Sequence, residues 1–230
     1  MKKFYELKKV NEEETELLIY GDITSLKWEE SDVGSYDFAK ELEAVDTNLK
    51  VRINSYGGEV SEGLAIYNML KNFKHKVTTV CDGFACSSAS VIFMAGSERL
   101  MNKGSLLLIH NAWSYATGDA NELRKQADDL EKITQPSVDI YTSITGLPEI
   151  TIKEMMDEET WITSDEALEM HFATGIIEDG AKQSMKETML NHLVVENKRL
   201  NKEIKAQKAL KTKQVEIEKP LDKWQEYFNK

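Results

Sequence analysis

The chain has 230 residues, 41% of them hydrophobic, and a formal net charge of −11, which bounds it to one main globular domain with room for an appendage. The start from Met1 to Lys9 lacks the apolar core of a signal peptide, and no apolar run approaches the roughly 20 residues that span a bilayer; the expectation is a cytoplasmic chain without a membrane segment. Two cysteines, Cys81 and Cys86, suggest neither a disulfide framework nor a zinc site, and Cys86 reads as a small buried filler.

The charge is unevenly divided. Residues 181–230 hold 12 Lys/Arg against 7 Asp/Glu, which leaves 17 basic and 33 acidic residues in the first 180. The body is therefore acidic, which argues against general nucleic-acid binding, while the basic tail suits an acidic partner or its own body.

After a polar leader over 1–14, Thr15 to Gly21 reads as the first strand. Ser35 is the expected cap of a helix over 36–45, where Phe38, Ala39, Leu42 and Val45 share a face. A short strand over 49–54 follows, so the pattern suggests βαβ units. That strand runs into Asn54-Ser55-Tyr56-Gly57-Gly58, and Leu64, Ile66, Tyr67, Met69, Leu70 and Phe73 then support a helix. The glycine pair allows unusual backbone angles and close approach of another chain. It fits an oxyanion site or a tight strand-to-helix turn; with no Gly-Lys-Ser/Thr after it, it does not fit a phosphate loop.

Lys76 to Cys81 reads as a buried strand that stops at an Asp82-Gly83 turn. Small residues from Ala85 to Ala89 and the apolar Val91 to Ala95 predict a packed helix, with Ser87 at its first turn. There Ser87 suits a nucleophile facing unpaired N–H groups, and equally a plain N-cap. Ser105 to Ile109 is a buried strand that delivers His110. Of the four histidines, only His110 follows a buried strand; His75 and His192 sit in polar surroundings, and His171 falls at a helix end.

Helical periodicity over 120–144 is expected to kink or restart at Pro136. A helix over 148–156 precedes the acidic Asp157-Glu158-Glu159 run and a buried Trp161. Ser164 is the expected cap of the next helix, and Gly175 to Ile177 the last strand. From residue 181 the composition predicts a basic, mostly helical arm, interrupted by Pro220 and ending in the aromatic cluster Trp224, Tyr227 and Phe228.

Five segments in this order, Ile53-Asn54-Ser55-Tyr56-Gly57-Gly58, Gly83-Phe84-Ala85-Cys86-Ser87, Met94-Ala95-Gly96, Ile109-His110-Asn111 and Trp161-Ile162-Thr163-Ser164-Asp165-Glu166-Ala167, closely resemble the Clp proteolytic-subunit family of serine proteases. The resemblance covers about residues 15–178. The wording around Glu158-Glu159-Thr160-Trp161 and His110-Asn111-Ala112-Trp113 resembles its phage and prophage, head-maturation branch. It implies an α/β fold, the spiral of repeated ββα/βαβ units shared with crotonases, with a handle helix and, here, the C-terminal arm. Residues 15–180 would form the catalytic domain.

Carried over residue by residue, the resemblance implies Ser87 as nucleophile, His110 as base, and the amides of Gly58 and Ser88 as oxyanion hole. Glu159 takes the acid's place where the family usually has aspartate, with Asp157 as the alternative. Gly57 and Trp113 would contact substrate. Tyr56 replaces the family's usual proline. The implied activity is serine endopeptidase, without metal or cofactor, in homo-oligomeric rings, heptameric and stacked in the family's manner, with phage capsid or scaffold proteins as substrates. The family's separate AAA+ unfoldase has no docking feature legible here. A ring that assembles without catalysing is the alternative, and an acyl-CoA hydratase or isomerase ranks below both.

Overall fold

The computed structural model describes residues 5–26 and 32–178. The predicted arm over 181–230 and its aromatic cluster lie outside the described residues.

Strands β1 (Tyr5–Lys9) and β2 (Glu14–Ile19) form an antiparallel hairpin in which Leu7 lies opposite Leu17. The Asn11 side chain accepts from the Glu13 and Glu14 amides at 2.8 and 2.9 Å and closes the turn. The leader thus holds a strand that its Lys/Glu-rich sequence hid. From β2 the sheet continues in parallel through β3 (Asn48–Ser55), β4 (Val77–Cys86), β5 (Glu98–Asn102) and β8 (Gly175–Ile177). Helices α1 (Ser35–Glu43), α2 (Val60–Lys71) and α3 (Ser88–Phe93) connect the strands, and their apolar sides close the core. Period-two alternation puts Leu17, Ile19, Leu49, Val51 and Ile53 into that core with Phe38, Ile66 and Leu70.

The opposite strand face carries Glu14, Lys50, Arg52 and Asp82. Lys50 Nζ lies 2.6 Å from Glu14 Oε1, and Arg52 donates through Nε and Nη2 to both Asp82 oxygens. Tyr20 Oη and Asn102 Nδ2 also donate to Asp82, which is only 7% exposed. This network corrects the expected break at Asp82-Gly83. With its carboxylate satisfied, Asp82 stays in a strand of ten residues.

That length gives β4 two sets of neighbours. Thr78 to Cys81 pair with β5, whereas Phe84 to Cys86 pair with β6 (Leu106–Ile109), which pairs antiparallel with β7 (Thr160–Thr163). The strand β5, which opens on the charged pair Glu98-Arg99, was not anticipated. Helix α4 (Ala120–Thr145) starts at a capping box of Asp119 and Glu122 and runs through Pro136 without restarting, to the left-handed Gly146. Helix α5 (Glu149–Asp157) follows Pro148.

Two expected caps move by one residue. Gly34, not Ser35, precedes α1, and the Ser35 amide donates to Glu62 Oε2 at 2.6 Å. Thr163, not Ser164, caps α6 (Ser164–Glu169), in a reciprocal box with Glu166, because Thr163 is the last extended residue. Trp161 is 46% exposed and not buried, and its ring meets Phe84 edge-on at 5.5 Å between centroids.

Candidate active site

Ser87 sits between β4 and α3 with φ 55° and ψ −128°, a region that costs a non-glycine residue about 1–3 kcal/mol. Its side chain makes no capping bond. Of the two readings the sequence left open, the plain cap is therefore not the one realised. Surrounding bonds hold the corner: the Ser87 amide donates to the Leu108 carbonyl at 2.9 Å, and its carbonyl accepts from the Ser90 amide at 2.9 Å and from Ser90 Oγ at 2.6 Å. Leu108 belongs to β6, so the corner is tied directly to the strand that delivers His110.

The glycine pair comes within contact of this corner. Gly57 has φ 89°, and a Cβ there would lie 2.5 Å from the Cys86 carbonyl oxygen, 2.7 Å from Ser87 Cβ and 3.0 Å from the Ser88 amide. Gly58 has φ 150°, and a Cβ there would collide with the Ile23 carbonyl. The Gly57 carbonyl and the Glu59 amide both bond Ile23, at 2.9 and 2.8 Å. In extended chain this leaves the intervening Gly58 amide directed to the other side. Ser88 is the first residue of α3, so no earlier turn supplies an acceptor for its amide.

His110 follows β6, half-buried. Its Nδ1 lies 2.7 Å from the Asn111 carbonyl oxygen; a carbonyl only accepts, so Nδ1 donates, and the neutral imidazole then has its lone pair on Nε2. Two helices hold the segment after it. Thr134 Oγ1 of α4 accepts from the Ala112 amide at 3.0 Å, and Asp157 Oδ1 accepts from Asn111 Nδ2 at 2.7 Å.

In β6–β7 pairing Ile109 faces Thr160, so one step further along the register places Glu159 beside His110. Glu159 has φ 51°, the left-handed conformation usual for the residue after a helix, here after α5. Both Glu159 and Asp157 are exposed, and among the described residues no carboxylate hydrogen bond to His110 is formed. Asp157 instead orients Asn111.

Ser87, Ser88, His110 and Asn111 line one cleft, whose walls include Val60, Leu64, Val91, Ile133 and Met156. Thr134, Ser137 and Tyr141 of α4 complete it. Sequence reasoning did not single out these three; the signal was their repeat on one face of a long helix. Trp113 does not line the cleft. It stands 68% exposed, edge-on to Tyr115 at 5.5 Å between centroids. Cys86, next to the corner, is buried, and burial pushes its thiol up to about 12, so it is not a nucleophile at neutral pH.

A strained serine and a histidine delivered by adjoining strands into one cleft, on a sheet wound through α1 to α3, define a fold of the ClpP kind. The comparisons agree. A sequence model of the family described as Clp protease matches residues 32–180. The ATP-dependent Clp protease proteolytic subunit of Deinococcus radiodurans is 33% identical over 135 residues, 58% of this chain and 66% of that one. Proteolytic subunit 1 from Chlamydia caviae is 34% identical over 129 residues, 54% of this chain and 68% of its own. Among solved structures, a ClpP1 mutant from Listeria monocytogenes aligns with a TM-score of 0.60 at 24% identity, over 70% of this chain and 90% of that one. The chain belongs to the Clp protease family and has the ClpP-like α/β fold. It spans about two thirds of the length of these curated relatives. Among the described residues no helix is long and apolar enough to cross a membrane.

Proposed function

We propose that the chain is a serine endopeptidase that works inside a homo-oligomeric ring. The observation that carries this reading is the corner at Ser87: a strained serine whose hydroxyl is not used as a cap, in the same cleft as a histidine whose Nδ1 is held by the Asn111 carbonyl. Serine is a weak nucleophile at neutral pH, so Nε2 of His110 takes the Ser87 proton as Oγ attacks the scissile carbonyl, and returns it to the leaving amine. The Gly58 and Ser88 amides receive the oxyanion, each contributing on the order of 3 kcal/mol to the transition state. The Asn111 carbonyl holds the imidazole tautomer, and Glu159 stabilises the imidazolium once formed.

The substrate class we propose is capsid or scaffold protein of a phage, supported by the wording of the sequence around His110 and Trp161. The relatives are named as ATP-dependent; for this chain a separate AAA+ unfoldase would be needed only for folded substrates, and short peptides would be cut without nucleotide. Turnover of an unstructured protein such as casein by the wild type, abolished in Ser87→Ala and His110→Ala with the native oligomer mass retained, tests the reading. Equal turnover in all three would end it.

One observation favours a second reading, a ring that assembles without appreciable catalysis: the absence of a carboxylate bond to His110 among the described residues. A wild type that assembles but shows no turnover above the Ser87→Ala background would select it.

A further inference from the structure

A buried chain of hydrogen bonds joins α4 to the corner. Tyr141 Oη lies 2.7 Å from Ser90 Oγ, and Ser90 Oγ lies 2.6 Å from the Ser87 carbonyl oxygen. The directions follow from the chemistry. The carbonyl has no proton, so the single Ser90 hydroxyl proton goes to it, and Tyr141 must donate to Ser90. Tyr141 is 2% exposed, and its ring is held against the buried Phe172 at 5.7 Å between centroids.

The Ser87 carbonyl and the Ser88 amide belong to one planar peptide group, and in a trans peptide they point in opposite directions. Whatever fixes the carbonyl therefore aims the Ser88 N–H. The Ser90 and Val91 amides also reach this carbonyl, at 2.9 and 3.4 Å, as the first turn of α3 requires. Among the described residues, Tyr141 alone joins this set from outside the turn, through the Ser90 hydroxyl. Accepting it also polarises the peptide, which makes the Ser88 amide a better donor.

We propose that Tyr141 is a positioning residue, which acts through Ser90 to lock the Ser87–Ser88 peptide with the Ser88 amide aimed at the oxyanion. The inference rests on the serine-endopeptidase reading. It assigns to α4 a part in the chemistry besides walling the cleft. The amide aimed in this way meets charge that exists only in the transition state, so its loss falls on kcat.

The test is steady-state hydrolysis of a short peptide by the native oligomer, with wild type, Tyr141→Phe, Ser90→Ala, the double variant and Ser87→Ala. The expected result is a roughly tenfold lower kcat in each single variant, KM within about twofold of wild type, and no further loss in the double variant. Melting temperature and native mass are measured alongside. Unchanged kcat in folded Tyr141→Phe overturns the proposal, as does an effect confined to KM, which would make Tyr141 only part of the pocket wall. Additive losses in the double variant would break the chain as well. If Tyr141→Phe does not fold, Ser90→Ala, which removes the relay and leaves the ring in place, decides alone. Wild-type turnover no greater than that of Ser87→Ala would bring down the peptidase reading itself; turnover in wild type with an unaffected Tyr141→Phe brings down only the role of Tyr141.

Discussion

Substituting Gly57 by alanine probes the junction between the glycine loop and the Ser87 corner. The added Cβ would sit 2.5 Å from the Cys86 carbonyl oxygen, where ordinary contact begins at 3.4 Å, so the loop must retreat by about 0.9 Å. At φ 89° the alanine also carries about 1–2 kcal/mol of backbone strain. The retreat carries the neighbouring Gly58 amide away from the corner, and losing one such donor lowers the rate by about 10²–10³. Gly146→Ala is the matched control: its φ is 75°, with nothing within 4 Å of the added Cβ. It should lose about 1 kcal/mol of stability and no activity. Peptide hydrolysis per folded oligomer, with urea unfolding for stability, reads both effects. Gly57→Ala and Gly146→Ala with equal specific activity would refute the reasoning, because strain is common to both and proximity to Ser87 is not.

Arg52→Ala leaves the buried Asp82 carboxylate with Tyr20 and Asn102 but without its cation, and should cost about 2 kcal/mol in urea unfolding. This is less than the roughly 3–5 kcal/mol of a fully buried broken pair, because Arg52 is partly solvated. Burial, and next the Asp82 charge, hold the Tyr20 hydroxyl well above the ordinary 10.0. The proton is thus bound more tightly in the folded state. The stability it brings is complete below pH 10 and fades as pH rises through the folded value, so Tyr20→Phe should flatten the alkaline limb of the stability profile. Glu159→Gly relieves a left-handed non-glycine residue and should gain about 0.5–1 kcal/mol while lowering kcat, so that stability and activity move in opposite directions. A Glu159→Gly variant with full kcat would remove the carboxylate from the mechanism.

The position of His110 was legible because it lies where a buried strand runs out, which shows in sequence as a leucine run meeting a polar residue; Ser87 was read only as the first turn of a helix, and the roles expected of both came from the family resemblance. The β4 boundary was misread because Asp-Gly is a turn signal only when the carboxylate has no partner, and Arg52 on the neighbouring strand supplies one. β1 carries charges that answer to cross-strand neighbours, as Lys8 does opposite Glu16, and such pairing is invisible one strand at a time; β5 has only five residues and opens on the charged pair Glu98-Arg99. Pro136 predicted a kink or a restart, and α4 does not restart there: Val138 and Tyr141, on one face just after it, are buried against the core. The resemblance named Glu159 as the acid, with Asp157 as the alternative, and strand pairing brings Glu159 level with His110, but whether a carboxylate bonds the ring depends on side-chain geometry; in this structure the Asn111 carbonyl makes that bond. The Tyr141 to Ser90 bond joins residues 51 positions apart and leaves no local pattern to read.

The central claim is that Ser87 is an activated nucleophile. Treating the folded oligomer with a fluorophosphonate probe at neutral to mildly alkaline pH, and locating the adduct by peptide mass spectrometry, tests it most directly. The account predicts one adduct per chain, on Ser87, absent from Ser87→Ala and strongly slowed in His110→Ala. An unlabelled wild type, or an adduct on Ser88 or Ser90, would contradict it.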